Sequence, residues 1–585
     1  MTIGARSWRR ALPQILLAAV GLMALGGTAA AQDGAGGVGQ FGPAVIPQGR
    51  DAVGQGITSV EVEIASSACD EAREARAAQA VRKAVQGLIG REYRPDLVEG
   101  TLAPFVANGT VGAATHRPAY DGAQGTLGLR VTLDFAPAAV AEAARKADKP
   151  AFPVLHEDDR SKLTIIANLG LGVYSDSNAW FGDPELFNAL NPLAGELPGD
   201  SSTWVEGFAE LGIGGITQIA DSNVYAFGAV SALASFSHGQ DIFTEEGREF
   251  VAFERGYAGL LYADRDTGDS AKLSLGRQTW TLNDGFLISM IAGSSNAGER
   301  GATYLGPRNA TDFSALFNGE FGRARVSLFY IDPNELEDLE SDTTFAGANL
   351  GYRFTDALSL DASAIVIPNS KSTYRTPDGE ALDRKGTRTY GLHGLYRPLT
   401  PDHIWIEAEG YLQDNSDYDM SAHAAYGTVG YIFGSSAWKP SLSYRYATFS
   451  GDDPSTERFE RFDSLMSSGL GIWLQGISLG KVYRNGNLNT HRIQGNVAPQ
   501  RGMNVTFTYH RLRADELNNI GGNPALSQLG SRDIGQEFTA TLRWAIDREK
   551  YLQVVASRAY PGDALKLVGA TEPWTTLQAS LYHSF

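Results

Sequence analysis

The sequence predicts a mainly β protein: a transmembrane antiparallel β-barrel of about 18 strands, preceded by a small N-terminal α/β unit of order β-α-α-β-β. Three observations predict the barrel. From about Lys162 onward, segments alternate apolar and polar side chains, and the texture never returns to helix. Their connections alternate between tight turns and long loops. No apolar run after the first residues is long enough for a spanning helix. A chain of this kind that enters a membrane satisfies its backbone by closing a sheet.

The N-terminus reads as an export signal over residues 1–31. Arg6, Arg9 and Arg10 give a positive segment, Ala11 to Leu25 an apolar one, and Ala29-Ala30-Ala31 a small-residue cleavage site. Gln32 is the expected mature start. Loss of the three signal arginines takes the net charge from -18 to -18 - 3 = -21. So acidic a chain is no general nucleic-acid binder. Cys69 stands alone, so no internal disulfide framework exists.

Residues 32–55, rich in Gly, Gln and Pro, read as a flexible leader. Residues 56–136 read as the α/β unit. Ile57 to Ile64 alternates as a strand, and Ala77, Val81, Ala84, Val85 and Leu88 fall on one helical face. A weaker helix covers about Pro95 to Val106, and a strand about Thr110 to Thr115. In the last strand Leu127, Leu129, Val131, Leu133 and Phe135 interleave with polar residues and glycine. The element order resembles a polypeptide-transport-associated (POTRA) domain, which implies periplasmic secretion partners. A generic periplasmic α/β adaptor fits the same order. Residues 137–158 form a linker containing an Ala-rich helical connector, Pro137 to Lys146.

Residues 159–585 form the barrel. Strand centres are expected near Leu169, Leu211, Gly228, Leu260, Leu275, Ala315, Leu328, Leu350, Ala362, Leu392, Ala408, Ala425, Tyr444, His491, Phe507, Ala540, Val554 and Ala579. In the clearest strands Leu358, Leu360 and Ala362 oppose Ser359, Asp361 and Ser363, and Phe538, Ala540, Leu542 and Trp544 oppose Glu537, Thr539, Thr541 and Arg543. The first set of each faces lipid and the second the lumen. Tight turns are expected at Asp221-Ser222, Thr267 to Asp269, Gly322-Arg323, Thr355-Asp356 and Pro401-Asp402. Long loops are expected at Ser175 to Ser202, Phe286 to Ala310, Tyr374 to Gly386 and Asp452 to Gly476. An even strand count puts both barrel ends, and the N-terminal domain, on the periplasmic side. The last residues, ending at Phe585, resemble the C-terminal signature read by the barrel-assembly machinery of the bacterial outer membrane.

Three stretches carry a wider likeness. One is Gly276-Arg277-Gln278 with Asn283-Asp284-Gly285. A second runs from Tyr444-Arg445-Tyr446 through Gly451-Asp452-Asp453-Pro454 to Phe462-Asp463-Ser464-Leu465. The third is Ile534 to Glu537 with Tyr560 to Ala564. Over about residues 160–585 the chain resembles the alginate export family of outer-membrane channels. The resemblance implies an eighteen-stranded barrel that passes an anionic polysaccharide. It departs from the family at Ser464, where Pro is usual, and in its added N-terminal domain, so alginate itself is not implied.

A polymer with one carboxylate per sugar needs fixed cations along the channel wall. Arginine suits this best, because its planar fork meets a carboxylate twice. Alternation places Arg325, Arg353, Arg445 and Arg543 on the lumen face, with Lys272 as a fifth candidate. The same arginines can instead pair with wall acids, for which Glu407, Glu409, Asp361 and Glu537 are the inward candidates. Phe286 to Ala310 either folds into the lumen as a constriction or caps the mouth. The acids from Asp452 to Asp463 match no calcium loop. No hydrolase elbow, metalloprotease motif or phosphate loop occurs, so neither an enzyme nor a cofactor is expected. The leading expectation is passive export of an acidic exopolysaccharide. The alternatives are a porin for small anions or sugars, and a protein-handling barrel that uses the N-terminal unit for edge augmentation.

Overall fold

The computed structural model describes residues 59–66, 114–121, 126–134, 152–158, 160–189, 196–264, 267–289, 300–467 and 473–585. The expected signal, leader, N-terminal helices and helical connector, and Cys69, lie outside the described residues. Strands β1 (Ser59–Ser66), β2 (Ala114–Asp121) and β3 (Thr126–Asp134) form an antiparallel sheet with β3 in the middle. These match the three strands expected there, shifted by a few residues.

The rest is one closed antiparallel barrel of 18 strands. Its first half is β5 (Ser161–Ser177), β6 (Ser202–Gln218), β7 (Val224–His238), β8 (Arg248–Ala263), β9 (Ser270–Arg277), β10 (Phe313–Phe321), β11 (Ala324–Asp332), β12 (Thr344–Thr355) and β13 (Leu358–Asn369). Its second half is β16 (Arg388–Tyr396), β17 (Asp402–Asp414), β18 (Ala422–Phe433), β19 (Ser441–Phe449), β20 (Leu488–Val497), β21 (Met503–Ala514), β22 (Asp533–Ala545), β23 (Lys550–Pro561) and β24 (Trp574–Ser584). Every expected strand centre falls inside one of these. A loop hairpin, β14 (Thr373–Arg375) with β15 (Ala381–Asp383), and the short β4 (Val154–Glu157) were not expected.

Closure comes from β24 pairing with Asn168 to Ser177 of β5. β4 pairs with Lys162 to Thr164, the part of β5 that β24 leaves bare. Phe585 sits at this seam. Its N–H donates to Ala167 O at 3.0 Å, and its ring packs on His583 and edge-on to Phe152.

Period-two alternation places the side chains. Leu211, Leu273, Leu350, Leu392, Leu412 and Phe507 all stand exposed on the outside. Each would cost ~1.5–3 kcal/mol if left in water, so this band is the surface that lipid covers. Aromatic residues ring both edges of the band. Tyr352, Phe354, Tyr396 and Phe433 lie at the short-turn end, and Phe313, Tyr330, Tyr390 and Tyr560 toward the long-loop end. The barrel therefore crosses a membrane with its strands. Buried aromatic side chains occupy the inside, because two long connections fold inward.

Candidate functional site

The two inward loops are residues 278–312, between β9 and β10, and residues 450–487, between β19 and β20. Phe286, Leu287 and Ile288 of the first are buried. Phe286 packs against Tyr411 and Tyr426 of the wall, Phe449 at the end of β19, and Trp473 of the second loop. The loops also hold each other. Met466 N–H donates to Leu287 O at 3.2 Å, Ser289 N–H to Met466 O at 3.3 Å, and Trp473 Nε1 to Asp284 O at 3.3 Å. The apolar stretch 286–288 thus forms a constriction rather than a cap over the mouth.

Wall carboxylates fix these loops by taking their backbone amides. Glu206 accepts from Tyr304 N at 2.8 Å and Leu305 N at 3.0 Å, and Glu254 from Asn309 and Ala310 N at 2.8 and 2.9 Å. Glu537 accepts from the N–H groups of Ile477, Ser478 and Leu479, at the start of the short helix α1 (Leu479–Val482). Gly476 makes that approach possible. Its φ is +91°, and a Cβ there would stand 2.6 Å from Glu537 Oε2.

The lumen wall divides into two sectors. In the first, Arg325 reaches across β12 to Asp361, with both carboxylate oxygens at 3.0 Å. It passes over Gly351, where a Cβ would meet Asp361 Oδ1 at 2.2 Å. His393 lies 3.6 Å from Asp361 and 3.3 Å from Glu407. Glu409 is buried and accepts from Asn283 Nδ2 at 2.9 Å and Tyr411 OH at 2.5 Å. Asn349 Nδ2 donates to Asn283 Oδ1 at 3.2 Å, and Tyr426 OH to Asp284 Oδ2 at 2.8 Å. The Asn283-Asp284-Gly285 stretch is therefore the tip of the first loop, docked on acids and amides of the wall.

In the second sector the register runs Thr428, Arg445, Arg492, His510, Glu537 across β18–β22. Arg445 is 5% exposed. Its Nε donates to Thr428 Oγ1 at 2.9 Å, and its guanidinium lies 3.9 Å from the Trp473 ring centre and 4.7 Å from that of Tyr426. Arg492 is its direct cross-strand neighbour, with a buried Nε that has no hydrogen-bond partner. Among the described residues no carboxylate forms an ion pair with either. Like charges placed opposite each other on a sheet oppose folding, and here only Glu407 and Asp284, at longer range, offset them.

The other expected cations stand apart. Lys272 lies 4.8 Å from the Phe227 ring centre. Arg353 is exposed near the short-turn end of β12. Arg543, near the same end of β22, contacts Tyr551. The five expected cations do not form one array: Arg445 alone stands at the constriction, and the tilt and length of the strands distribute the rest. Wall pairing holds for Arg325 with Asp361. It does not hold for Glu409 or Glu537, because the inward loops bring amide donors to them. Arg492 was missed, although a signal existed: Ile493 is an outward residue, so parity turns Arg492 inward.

Near the mouth, Asp463 joins the second loop to the β14–β15 hairpin region. Arg384 Nε and Nη2 meet its two oxygens at 2.7 and 3.1 Å, and Tyr374 OH donates at 2.8 Å. Burial pushes the Asp463 carboxyl up, but the Arg384 charge and these hydrogen bonds outweigh it and hold it below the usual carboxylate range. The same pairing raises Arg384 against its own burial.

Comparison with known proteins gives a family model described as "Alginate export", matching residues 236–572. No curated protein matches the sequence. Solved structures similar in fold include three from Pseudomonas aeruginosa: OccK5 (OpdH), OpdK with vanillate, and the outer membrane protein OprD. OccK5 is 10% identical with a TM-score of 0.43, the alignment covering 72% of this chain and 98% of that one. OpdK is 10% identical with a TM-score of 0.41, covering 72% and 99%. OprD is 11% identical with a TM-score of 0.41, covering 72% and 93%.

Proposed function

The chain belongs to the alginate export family, its porin-like barrel makes it an outer-membrane channel, and from that premise we propose that it passes an anionic exopolysaccharide passively through the lumen. One observation carries the polymer reading. Arg445 and Arg492 stand side by side at the constriction with no described carboxylate in ion-pair contact, Glu407 and Asp284 acting on them only at longer range, and Arg445 is backed by Trp473 and Tyr426. Two adjacent guanidiniums that no carboxylate contacts directly attract one. The aromatic faces beside them suit the apolar faces of sugar rings. Wall acids elsewhere are engaged by loop amides or by Arg325, Arg255 and His393, which leaves none of the described ones in direct contact with this pair. Each contact stays weak enough for the chain to move on.

In this reading the long-loop end is extracellular, Phe585 serves barrel assembly, and residues 56–136 face the periplasm and dock secretion partners. The closed contact between the two loops favours a second reading, a porin for small anions or sugars, because a polymer requires those loops to part. Planar-bilayer recordings separate the two. Under the export reading, oligouronates of increasing length block the current with increasing affinity, and the double variant Arg445→Ala, Arg492→Ala loses the block. Equal block by mono- and oligouronates supports the porin. Full block of the double variant overturns the role given to the arginine pair.

A further inference from the structure

We propose that the outer wall over β20–β24 carries a binding site for a phosphate-bearing, acylated lipid of the outer leaflet. The register aligns the outward side chains of these strands in rows. His491, Arg511, Gln536 and Tyr560 form a polar row near the long-loop end. One row deeper lie Ile493, Phe538 and Arg558, and below them Gly495, Phe507, Ala540, Ala556 and Leu577. Gly495, Ala540 and Ala556 are short, whereas Phe507, Phe538 and Leu577 stand high and exposed. The result is a groove of about 520 Å3 in the lipid-facing wall.

Arg558 lines the head of this groove. It is exposed, its guanidinium is 5.6 Å from the Tyr560 ring centre, and no described carboxylate pairs with it. Two other outward arginines are neutralised within the chain: Arg388 lies 2.7 Å from Asp414, and Arg511 lies 2.9 Å from Asp533. A lone cation facing hydrocarbon is unfavourable, and less so close to the interface, where a long side chain reaches the headgroups. Arg558 is three residues from the long-loop end of β23, at that depth. An anionic headgroup supplies the missing charge, and the groove beneath takes an acyl chain. A dissolved polyanion has no reason to enter an apolar groove covered by lipid. The assignment depends on the long-loop end facing outward and is independent of what the lumen carries.

The test uses the full chain, purified folded in a zwitterionic detergent and titrated with bisphosphorylated lipid A by native mass spectrometry. Dephosphorylated lipid A is the comparison probe. Arg558→Gln is expected to lower the bound fraction about fivefold, and Arg558→Lys to keep it within about twofold. Ala556→Leu, which fills the groove, is expected to match Arg558→Gln. Dephosphorylated lipid A is expected to bind wild type no better than lipid A binds Arg558→Gln. Heat-modifiable migration reports folding; should Ala556→Leu fail it, the exposed Arg558→Gln decides. Equal binding by wild type and Arg558→Gln overturns the proposal. So does equal binding of the two probes, which means apolar adhesion only, or a wild-type dimer that Arg558→Gln dissolves, which means that the groove seats a second copy.

Discussion

Two sectors of one lumen wall carry arginines of opposite employment. Along β11–β17, Arg325, Asp361, His393 and Glu407 form a chain in which each charge has a neighbour of opposite sign or a hydrogen-bond partner. Along β18–β21, Arg445 and Arg492 face each other with hydroxyl, aromatic and histidine groups in direct contact, and the carboxylates of Glu407 and Asp284 reach them only at longer range. The residue type and the strand face are alike, although Arg325 is far more exposed than Arg445. The direct partner distinguishes a structural cation from one available to cargo, and strand alternation does not reveal the partner. A paired arginine in a barrel wall is therefore poor evidence for anion transport, and an adjacent unpaired set is better evidence.

Removing the adjacent arginine pair gives the largest effect. Arg445→Ala with Arg492→Ala should lower anion-over-cation permeability in planar bilayers by about tenfold, equivalent to ~1.4 kcal/mol. An unchanged reversal potential would erase the distinction between the sectors. The next effect is on the plug that covers the pair. Glu537→Ala strips three backbone amides of their acceptor, each worth ~1–3 kcal/mol when left buried and unmet. The fraction of time a single channel spends open should rise about two- to threefold as the loop that carries Trp473 loosens. If that fraction stays constant, Glu537 does not hold the plug.

Unbalancing the neutral sector is a smaller change. Asp361→Asn leaves Arg325 and His393 without their shared carboxylate, so anion preference should rise by about twofold. Arg325→Ala alone should leave it nearly constant. The reverse order of these two effects would show Arg325 working on cargo. The smallest effect is on pH. Asp463 has a depressed carboxyl, so its pair with Arg384 contributes stability that is present above the ordinary carboxylate range and is lost as pH falls through the depressed value. Protease cleavage within residues 450–467 should therefore not increase between pH 7 and the ordinary carboxylate range near ~4, and should increase only below it. In Asp463→Asn, cleavage should be faster at pH 7 and independent of pH over that window.

Much of the fold was legible because a barrel wall writes its two faces into successive residues. Leu358 to Ser363 and Phe538 to Trp544 announce both strand and orientation. Phe585, read in the sequence only as part of an assembly signature, sits at the closing seam. The site was less legible because it is made by loops returning from outside the strand pattern. Nothing local to Glu537 says that Gly476 and the amides after it will meet it 60 residues away in sequence, and nothing local to Asn283 says that it will reach Glu409. The stretches that carry the family likeness fall at these contacts. Asn283 to Gly285 is the loop tip, Arg445 stands in the constriction, and Asp463 is the clamp near the mouth. Sequence alone could not say what each did there.

The parallel bridge between Ile288 and Met466 joins two loops that are far apart along the chain. Each is the other's support, since losing either removes Phe286 or Trp473 from the same aromatic stack. Opening should accordingly be all-or-none. Current through a single barrel should jump between shut and fully conducting, without a stable sublevel in which one loop has left and the other remains.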